Sequence, residues 1–319
     1  MTLPTSAQAE EARTQVSKHL HRTPILRSRT LSDLTGHSVY LKLENLQKTG
    51  SFKPRGALSA MAALRPEETR RGVVTISAGN HAQGVAFAAQ RLGVPATVVM
   101  PESASRTKAE AARGYGAEVI LHGDVAAAFE KVHELERERG LRFVHPFDDP
   151  RIVAGQATLG MEILEDRPDV EVVLAGIGGG GLISGVAWAV KEGKPAIRVI
   201  GIEPEGADTM FRSRIEGKPA RIARTDTIAD GLAAPFAGEL NFHLVQRYVD
   251  DLVRVKDAEI LAAMRLLFER CKVVAEPAGA AALGSLIAGR IELPAGSVVC
   301  CVVSGGNIGA EQFASYFSA

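Results

Sequence analysis

Short β-branched runs alternate with longer helical patterns along almost the whole chain, and that alternation leaves few folds open. Strands read at Val39–Leu43, Gly72–Ile76, Thr97–Met100, Glu118–Leu121, Val170–Ala175, Arg198–Ile202, Leu252–Val255 and Val298–Val303. Helical periodicity lies between them, at Asn80–Arg91, Asp124–Arg139, Gly181–Val190, Asp257–Arg270 and Pro277–Ile287. Strands joined through helices of this length pair in parallel, so the pattern implies βαβ units and an α/β class. Pro54 suits the first turn of a helix, and Asp124 and Asp257 suit N-caps. The 319 residues are enough for two domains, yet no flexible linker interrupts them. Two domains would therefore exchange chain crossings instead of following one another. Arg212–Ala237 is the least regular stretch and reads as a surface excursion.

Composition removes several function classes. Thirty-seven basic residues offset thirty-seven acidic ones, so no global field draws in nucleic acid or an anionic membrane. The first twenty residues are polar and lack the apolar core of a signal peptide. No apolar stretch approaches the ~18 residues of a spanning helix. Cys300 and Cys301 fall within one strand and Cys271 in a helical stretch, which is neither a disulfide nor a zinc framework. A cytoplasmic protein is expected.

Four motifs carry chemistry. Lys53 stands in Ser51-Phe52-Lys53-Pro54-Arg55-Gly56. Most lysines are solvated surface charges, but this one opens a helix, where the dipole disfavours an ammonium, and apolar residues flank it. A lysine held partly dry beside positive potential forms Schiff bases. Ser77-Ala78-Gly79-Asn80-His81 follows a strand and opens a helix, so its free N–H groups and polar side chains suit a substrate carboxylate. His81 reads as structural, oriented by a backbone carbonyl. Gly176-Ile177-Gly178-Gly179-Gly180-Gly181 also joins strand to helix, and a plain turn rarely needs four consecutive glycines. Their amides suit a phosphate. Ser304-Gly305-Gly306-Asn307 follows the last strand, at the carboxyl edge where open α/β sheets bind ligands. An amine, an anion-binding turn and a phosphate cradle together fit pyridoxal 5'-phosphate. A second reading stays open: Gly176, Gly178 and Gly181 with Glu203 satisfy the spacing of a dinucleotide fingerprint, implying an NAD-dependent oxidoreductase. A third is a protein that binds the cofactor without turnover.

Ser-Phe-Lys-x-Arg-Gly-Ala, Ser-Ala-Gly-Asn-His-Ala-Gln-Gly-Val-Ala and Ser-Gly-Gly-Asn, in this order, resemble the threonine dehydratase and serine racemase branch of the fold-type II pyridoxal-phosphate enzymes. The resemblance runs from about Thr23-Pro24 to the C-terminus, and extends to the tryptophan synthase β-chain. It implies two open, twisted, mostly parallel-sheet domains: a large one from residues 1–47 and 148–319, and a small one, 48–147, inserted into it. It implies Lys53 as cofactor carrier and general base, Phe52 beside the pyridine ring and Asn80 at its phenolic oxygen. Gly178, Gly179, Gly180 and Gly181 would cradle the phosphate, Ser304 would meet the ring nitrogen, and Glu276 would lie near the ring. Ser77, Ala78, Gly79, Asn80 and His81 would bind substrate.

The implied reaction is deamination of L-threonine, and of L-serine, by β-elimination, with a serine or hydroxyaspartate dehydratase or racemase as the alternative. A neutral serine at the ring nitrogen favours elimination over transamination. Racemisation needs proton donors on both faces of Cα; related racemases carry a serine where this chain has Ala78, and a methyl group moves no proton. Some relatives bind a cation through a Glu, a carbonyl and an Asp. Here Glu203 and Ala207 match but Thr209 takes the third place, which weakens a site for a hard ion. No C-terminal regulatory domain is expected after Ser304, and a homodimer or homotetramer is.

Overall fold

In the computed structural model, residues 3–104 and 106–318 are described, and they divide into two compact units. One comprises Arg22–Phe52 together with the chain from Gln156 onward. The other holds the described residues before Arg22 together with Lys53–Gly155.

In chain order the strands are β1 Ile25–Arg27, β2 Ser38–Leu43, β3 Val73–Ile76, β4 Ala96–Met100, β5 Glu118–Leu121, β6 Arg142–Phe143, β7 Val172–Gly176, β8 Arg198–Pro204, β9 Asp251–Val255 and β10 Val298–Val303. The first unit carries a six-stranded sheet in the order β1-β2-β10-β7-β8-β9, and only β1 runs antiparallel to its neighbour. The second carries a four-stranded sheet, β5-β4-β3-β6, parallel throughout. Both sheets are thus parallel-rich, as the alternation of runs and helices requires.

β7 is buried along its whole length, and β10 at every residue after Val298. Continuous apolar runs of this kind belong at the middle of a sheet covered on both faces. One face packs against the alanine-rich Pro277–Ile287 helix through Ala278, Ala281 and Leu283, the other against Gly181–Gly193 through Ile183, Val186 and Ala187. Lys42 is a charged residue in this core. It is fully buried in β2, and its ammonium donates to the Glu162 carboxylate at 2.6 Å and to the Thr23 carbonyl at 2.8 Å. Removing either partner of such a pair would leave a charge stranded.

Several details differ from the sequence reading, the first being that the chain passes between units at Phe52/Lys53 and Gly155/Gln156 and not at 47/48 and 147/148. The Ser6–His19 helix groups with Lys53–Gly155, although residues 1–47 were expected in the large domain. Val16 and Leu20 share one cluster with Ala57, Leu58 and Met61 of the Lys53–Ala62 helix, and that apolar stripe decides the grouping. Arg212–Ala237 is exposed along much of its length, as a surface excursion would be, but Ala220, Ala229, Leu232 and Ala237 are buried and anchor it. The helix beginning at Asp257 ends at Leu266 and continues as one π turn, Leu267–Cys271.

That turn stops at Lys272, the one non-glycine residue with positive φ among those described (φ 59°, ψ 34°). An L-residue held there is strained by ~1–2 kcal/mol, whereas glycine is not. Lys272 is exposed, so little packing is lost on truncation. Lys272→Gly should raise the urea midpoint, with a gain in stability of up to ~1 kcal/mol after the added entropy of the unfolded chain. A lower midpoint would show that the Lys272 side chain matters more than its backbone.

Candidate functional site

The six-stranded sheet delivers two of the motifs to one edge. β7 and β10 are parallel neighbours, with Val299, Cys300 and Cys301 opposite Val172, Val173 and Leu174. Gly176 ends one strand and Ser304 follows the other, so both turns leave the same carboxyl edge. This is where a parallel sheet gathers ligand groups.

The glycine run departs from β7 into the Gly181–Gly193 helix, with Gly180 as N-cap at φ 98°. The first amides of a helix lack intrahelical acceptors and carry the positive end of its dipole. Side chains would ruin this cradle. A Cβ on Gly176 would lie 3.2 Å from a Leu232 methyl, and one on Gly178 3.2 Å from the Gly231 carbonyl. One on Gly180 would lie 2.7 Å from the Asn241 Cβ. Asn241, which was not singled out in the sequence, is fully buried, and its amide donates to the Gly179 carbonyl at 3.0 Å. The Gly238 N–H donates to the same carbonyl at 3.2 Å. Both bonds draw the carbonyl back into the fold. Amides on one side and no side chains are what a phosphate group needs, so these residues fit a phosphorylated cofactor.

Ser304–Asn307 is not simply a turn. Ser51 forms an antiparallel bridge with Gly305, the Phe52 N–H donates to the Ser304 carbonyl at 3.1 Å, and the Gly306 N–H donates to the Gly50 carbonyl at 2.9 Å. The Asn307 amide donates to the Thr49 carbonyl at 2.7 Å. A short ladder therefore fastens residues 49–52 to the carboxyl edge, and Phe52, which immediately precedes Lys53, is its last rung. On the other side, the Glu276 N–H donates to the Gly305 carbonyl at 3.1 Å, and a Cβ on Gly279 would sit 2.1 Å from that carbonyl. Phe52, Glu276, Ser304 and the four glycines belong to one unit and one sheet edge. The buried Ser304 hydroxyl has only a long bond, 3.4 Å to the Ala278 carbonyl, so it can turn to a stronger partner.

Lys53 begins the Lys53–Ala62 helix in the other unit, and its ammonium donates to the Pro146 carbonyl at 3.0 Å. Gly84 is required beside it, because a Cβ there would lie 3.0 Å from the Lys53 Cβ. Ser77, Ala78, Gly79 and Asn80 form the half-buried turn between β3 and the Asn80–Leu92 helix. The Ser77 hydroxyl accepts the Gly79 N–H at 3.1 Å, which shapes the turn. His81 is buried, with its Nε2 3.2 Å from the Val144 carbonyl. Burial, with Lys53 adding to it, pushes the ring pKa down to about 3, so His81 stays neutral and is not an acid at neutral pH.

Glu203 does not serve a dinucleotide. It is 1% exposed, and its two oxygens accept the Met210 and Phe211 N–H groups at 2.8 and 2.7 Å, at the start of the Thr209–Glu216 helix. Burial pushes its carboxyl up to about 8 despite those donors, and Asp208 nearby adds to the rise. A carboxyl this deeply buried and engaged by a helix terminus is closed to a ribose hydroxyl, which argues against the oxidoreductase reading. Ala207 ends the short helical turn Glu205–Ala207, and the Thr209 hydroxyl is buried without a hydrogen-bond partner. Among the described residues, no group of three or more His, Cys, Asp or Glu side chains is disposed to hold a metal.

A surface groove lies elsewhere, at the amino ends of β7, β8 and β10. Its charged groups are engaged in the fold: Glu171 accepts the Val298 N–H and Arg198 pairs with Asp251. The carboxyl edge is the better site on chemistry. No helix among the described residues is long and apolar enough to cross a membrane.

Comparisons with known proteins point the same way. A family model described as "Pyridoxal-phosphate dependent enzyme" matches residues 16–305. The chain is 48% identical over 300 residues to an L-threonine ammonia-lyase of Thermotoga maritima, covering 94% of this chain and 74% of that one. It is 44% identical to a phenylserine dehydratase of Ralstonia pickettii, covering 99% of this chain and 97% of that one. Among solved structures, maize serine racemase superposes with a TM-score of 0.94 at 35% identity, covering 99% of this chain and 97% of that one.

Proposed function

The chain belongs to the family of pyridoxal-phosphate dependent enzymes, and from that membership we propose that it is an ammonia-lyase acting on L-threonine, with L-serine as a second substrate. The products are 2-oxobutanoate, or pyruvate from serine, and ammonia. Water leaves across the Cα–Cβ bond, and hydrolysis of the resulting enamine takes up one water and releases the nitrogen. The observation that carries most weight is the ladder ending in the Phe52 N–H bond to the Ser304 carbonyl at 3.1 Å. It fastens the segment leading into Lys53 to the edge that also bears the glycine cradle.

The cofactor, when bound, supplies a carbonyl that condenses with amines and a ring that draws electrons from the substrate Cα. The residues of the chain do the rest. The amides of Gly178, Gly179, Gly180 and Gly181 would hold the phosphate. Phe52 and Glu276 would flank the ring, Asn80 would meet its phenolic oxygen, and the Ser304 hydroxyl would meet its nitrogen. A hydroxyl, unlike a carboxylate, would not keep that nitrogen protonated, which would favour elimination over transamination. Ser77–His81 receives the substrate carboxylate on its amides. The Lys53 Nζ takes the proton from Cα and returns one to the departing hydroxyl. The same reading makes the protein a cytoplasmic homo-oligomer, and light scattering on eluted protein tests the oligomeric part.

The experiment is a substrate panel of L- and D-threonine, L- and D-serine, 3-hydroxyaspartate and 3-phenylserine, with ammonia and the 2-oxo acid both measured. Release of 2-oxobutanoate from L-threonine is expected. No 2-oxo acid from threonine or serine, with cofactor bound, rejects the lyase. The methyl group of Ala78 leaves one face of Cα without a proton donor, so conversion of L- to D-serine should run at least ~10²-fold slower than elimination, the usual contribution of a placed acid–base group. Ala78→Ser should raise it, measured by chiral chromatography.

A further inference from the structure

Residues 144–148 leave β6 and fold around one side chain. The His145 Nδ1 accepts two backbone N–H groups, from Phe147 at 3.1 Å and from Asp148 at 2.7 Å. A ring nitrogen accepting two such bonds carries no proton, so the imidazole is neutral with its hydrogen on Nε2. Burial, then the Lys53 charge, lowers the ring pKa to about 4, and the acceptor persists through the neutral range. Phe143 and Phe147 meet the ring edge-on, with centroids 5.6 and 4.7 Å away, which fixes its plane.

The residue enclosed by this turn is Pro146, whose carbonyl accepts the Lys53 Nζ at 3.0 Å. Proline has a fixed φ and no N–H, so the turn sets where its carbonyl points. The approach to the turn is also anchored. The Val144 carbonyl accepts the Thr75 hydroxyl at 2.8 Å and lies 3.2 Å from the His81 Nε2.

We infer that His145 is a positioning residue for the reaction: by closing the 145–148 turn it aims the Pro146 carbonyl at the Lys53 amine and holds that amine in one orientation whenever it is free. This rests on Lys53 being the reactive amine. A lysine stem has ~2 kcal/mol of rotamer entropy, so one well-placed acceptor limits how far the amine strays between accepting and returning a proton.

The test compares His145→Leu, which has no acceptor, with His145→Asn, whose Oδ1 can take the place of Nδ1. For His145→Leu, kcat should fall about tenfold at nearly unchanged KM, as expected for loss of orientation and not of substrate binding. The rate at which cofactor-free protein gains visible absorbance on mixing with pyridoxal phosphate should fall by a similar factor. His145→Asn should stay within about threefold of the parent on both measures. If His145→Leu does not fold, His145→Gln, whose acceptor lies one methylene further out, takes its place with the same expected loss. Equal losses in both variants would mean a merely structural role, and no loss in either would mean no role. Both outcomes overturn the inference. Lys53→Ala separates it from its premise. If that variant still gains the absorbance, the reactive amine lies elsewhere. If it does not, while His145→Leu behaves like the parent, only the role of His145 fails.

Discussion

Lys53→Ala is expected to lower kcat on L-threonine by about 10³- to 10⁴-fold, because on the proposed mechanism one amine both carries the cofactor and moves the Cα proton. The loss should be chemical and not structural. Lys53 is half-buried at the first position of its helix, and alanine keeps the Cβ that fits against Gly84. Alanine is also the strongest helix former, so stability should change by no more than ~1 kcal/mol. A melting curve and far-UV spectrum matching the parent, together with absent visible absorbance, would locate the defect at the amine. Retention of a tenth of the activity would show that another group abstracts the proton.

Gly180→Ala should weaken cofactor binding about 10²-fold, or ~2.7 kcal/mol. Two costs combine. A residue with a Cβ is strained at φ 98°, and that Cβ would lie 2.7 Å from the Asn241 Cβ and 2.9 Å from the Met210 Cε. Asn241 cannot yield freely, since its amide holds the Gly179 carbonyl. The strain is therefore passed to the amides proposed to grip the phosphate. Gly36→Ala is the control: φ there is 74°, but nothing lies within 4 Å of the added carbon. It should lower stability while leaving the cofactor titration curve in place. Equal affinity in Gly180→Ala and the parent would mean that the phosphate is held elsewhere.

Much of this was legible before any coordinates. β5 and β10 have the bounds read from the sequence, because each is a β-branched run closed by turn residues. The Pro277–Ile287 helix also starts where its proline places it. The strands that escaped notice, Ile25–Arg27 and Arg142–Phe143, are too short to show alternation. A π turn shares the apolar spacing of the helix it extends, so nothing in Asp257–Arg270 marks the break at Leu266. Leu232 was hidden for a different reason. It sits in an irregular stretch, and its contact with the glycine run depends on tertiary packing.

The site shows the same division. Lys53, the glycines and Ser304 stand out in the sequence only through the motifs around them. Their supports do not. Asn241 lies in an amphipathic helix with no local sign that its amide reaches Gly179. A single histidine before a proline does not reveal that its ring closes a turn. The pairing of residues 49–52 with 304–307 joins segments some 250 residues apart, which no local pattern records.

Borohydride reduction of the holoprotein, followed by proteolysis and mass analysis, tests the assignment of the reactive amine most directly. A pyridoxyl-phosphate adduct confined to the peptide containing Lys53 is the expected result. An adduct on Lys42, Lys48 or any other lysine, or none on a protein that is yellow and active, would contradict it.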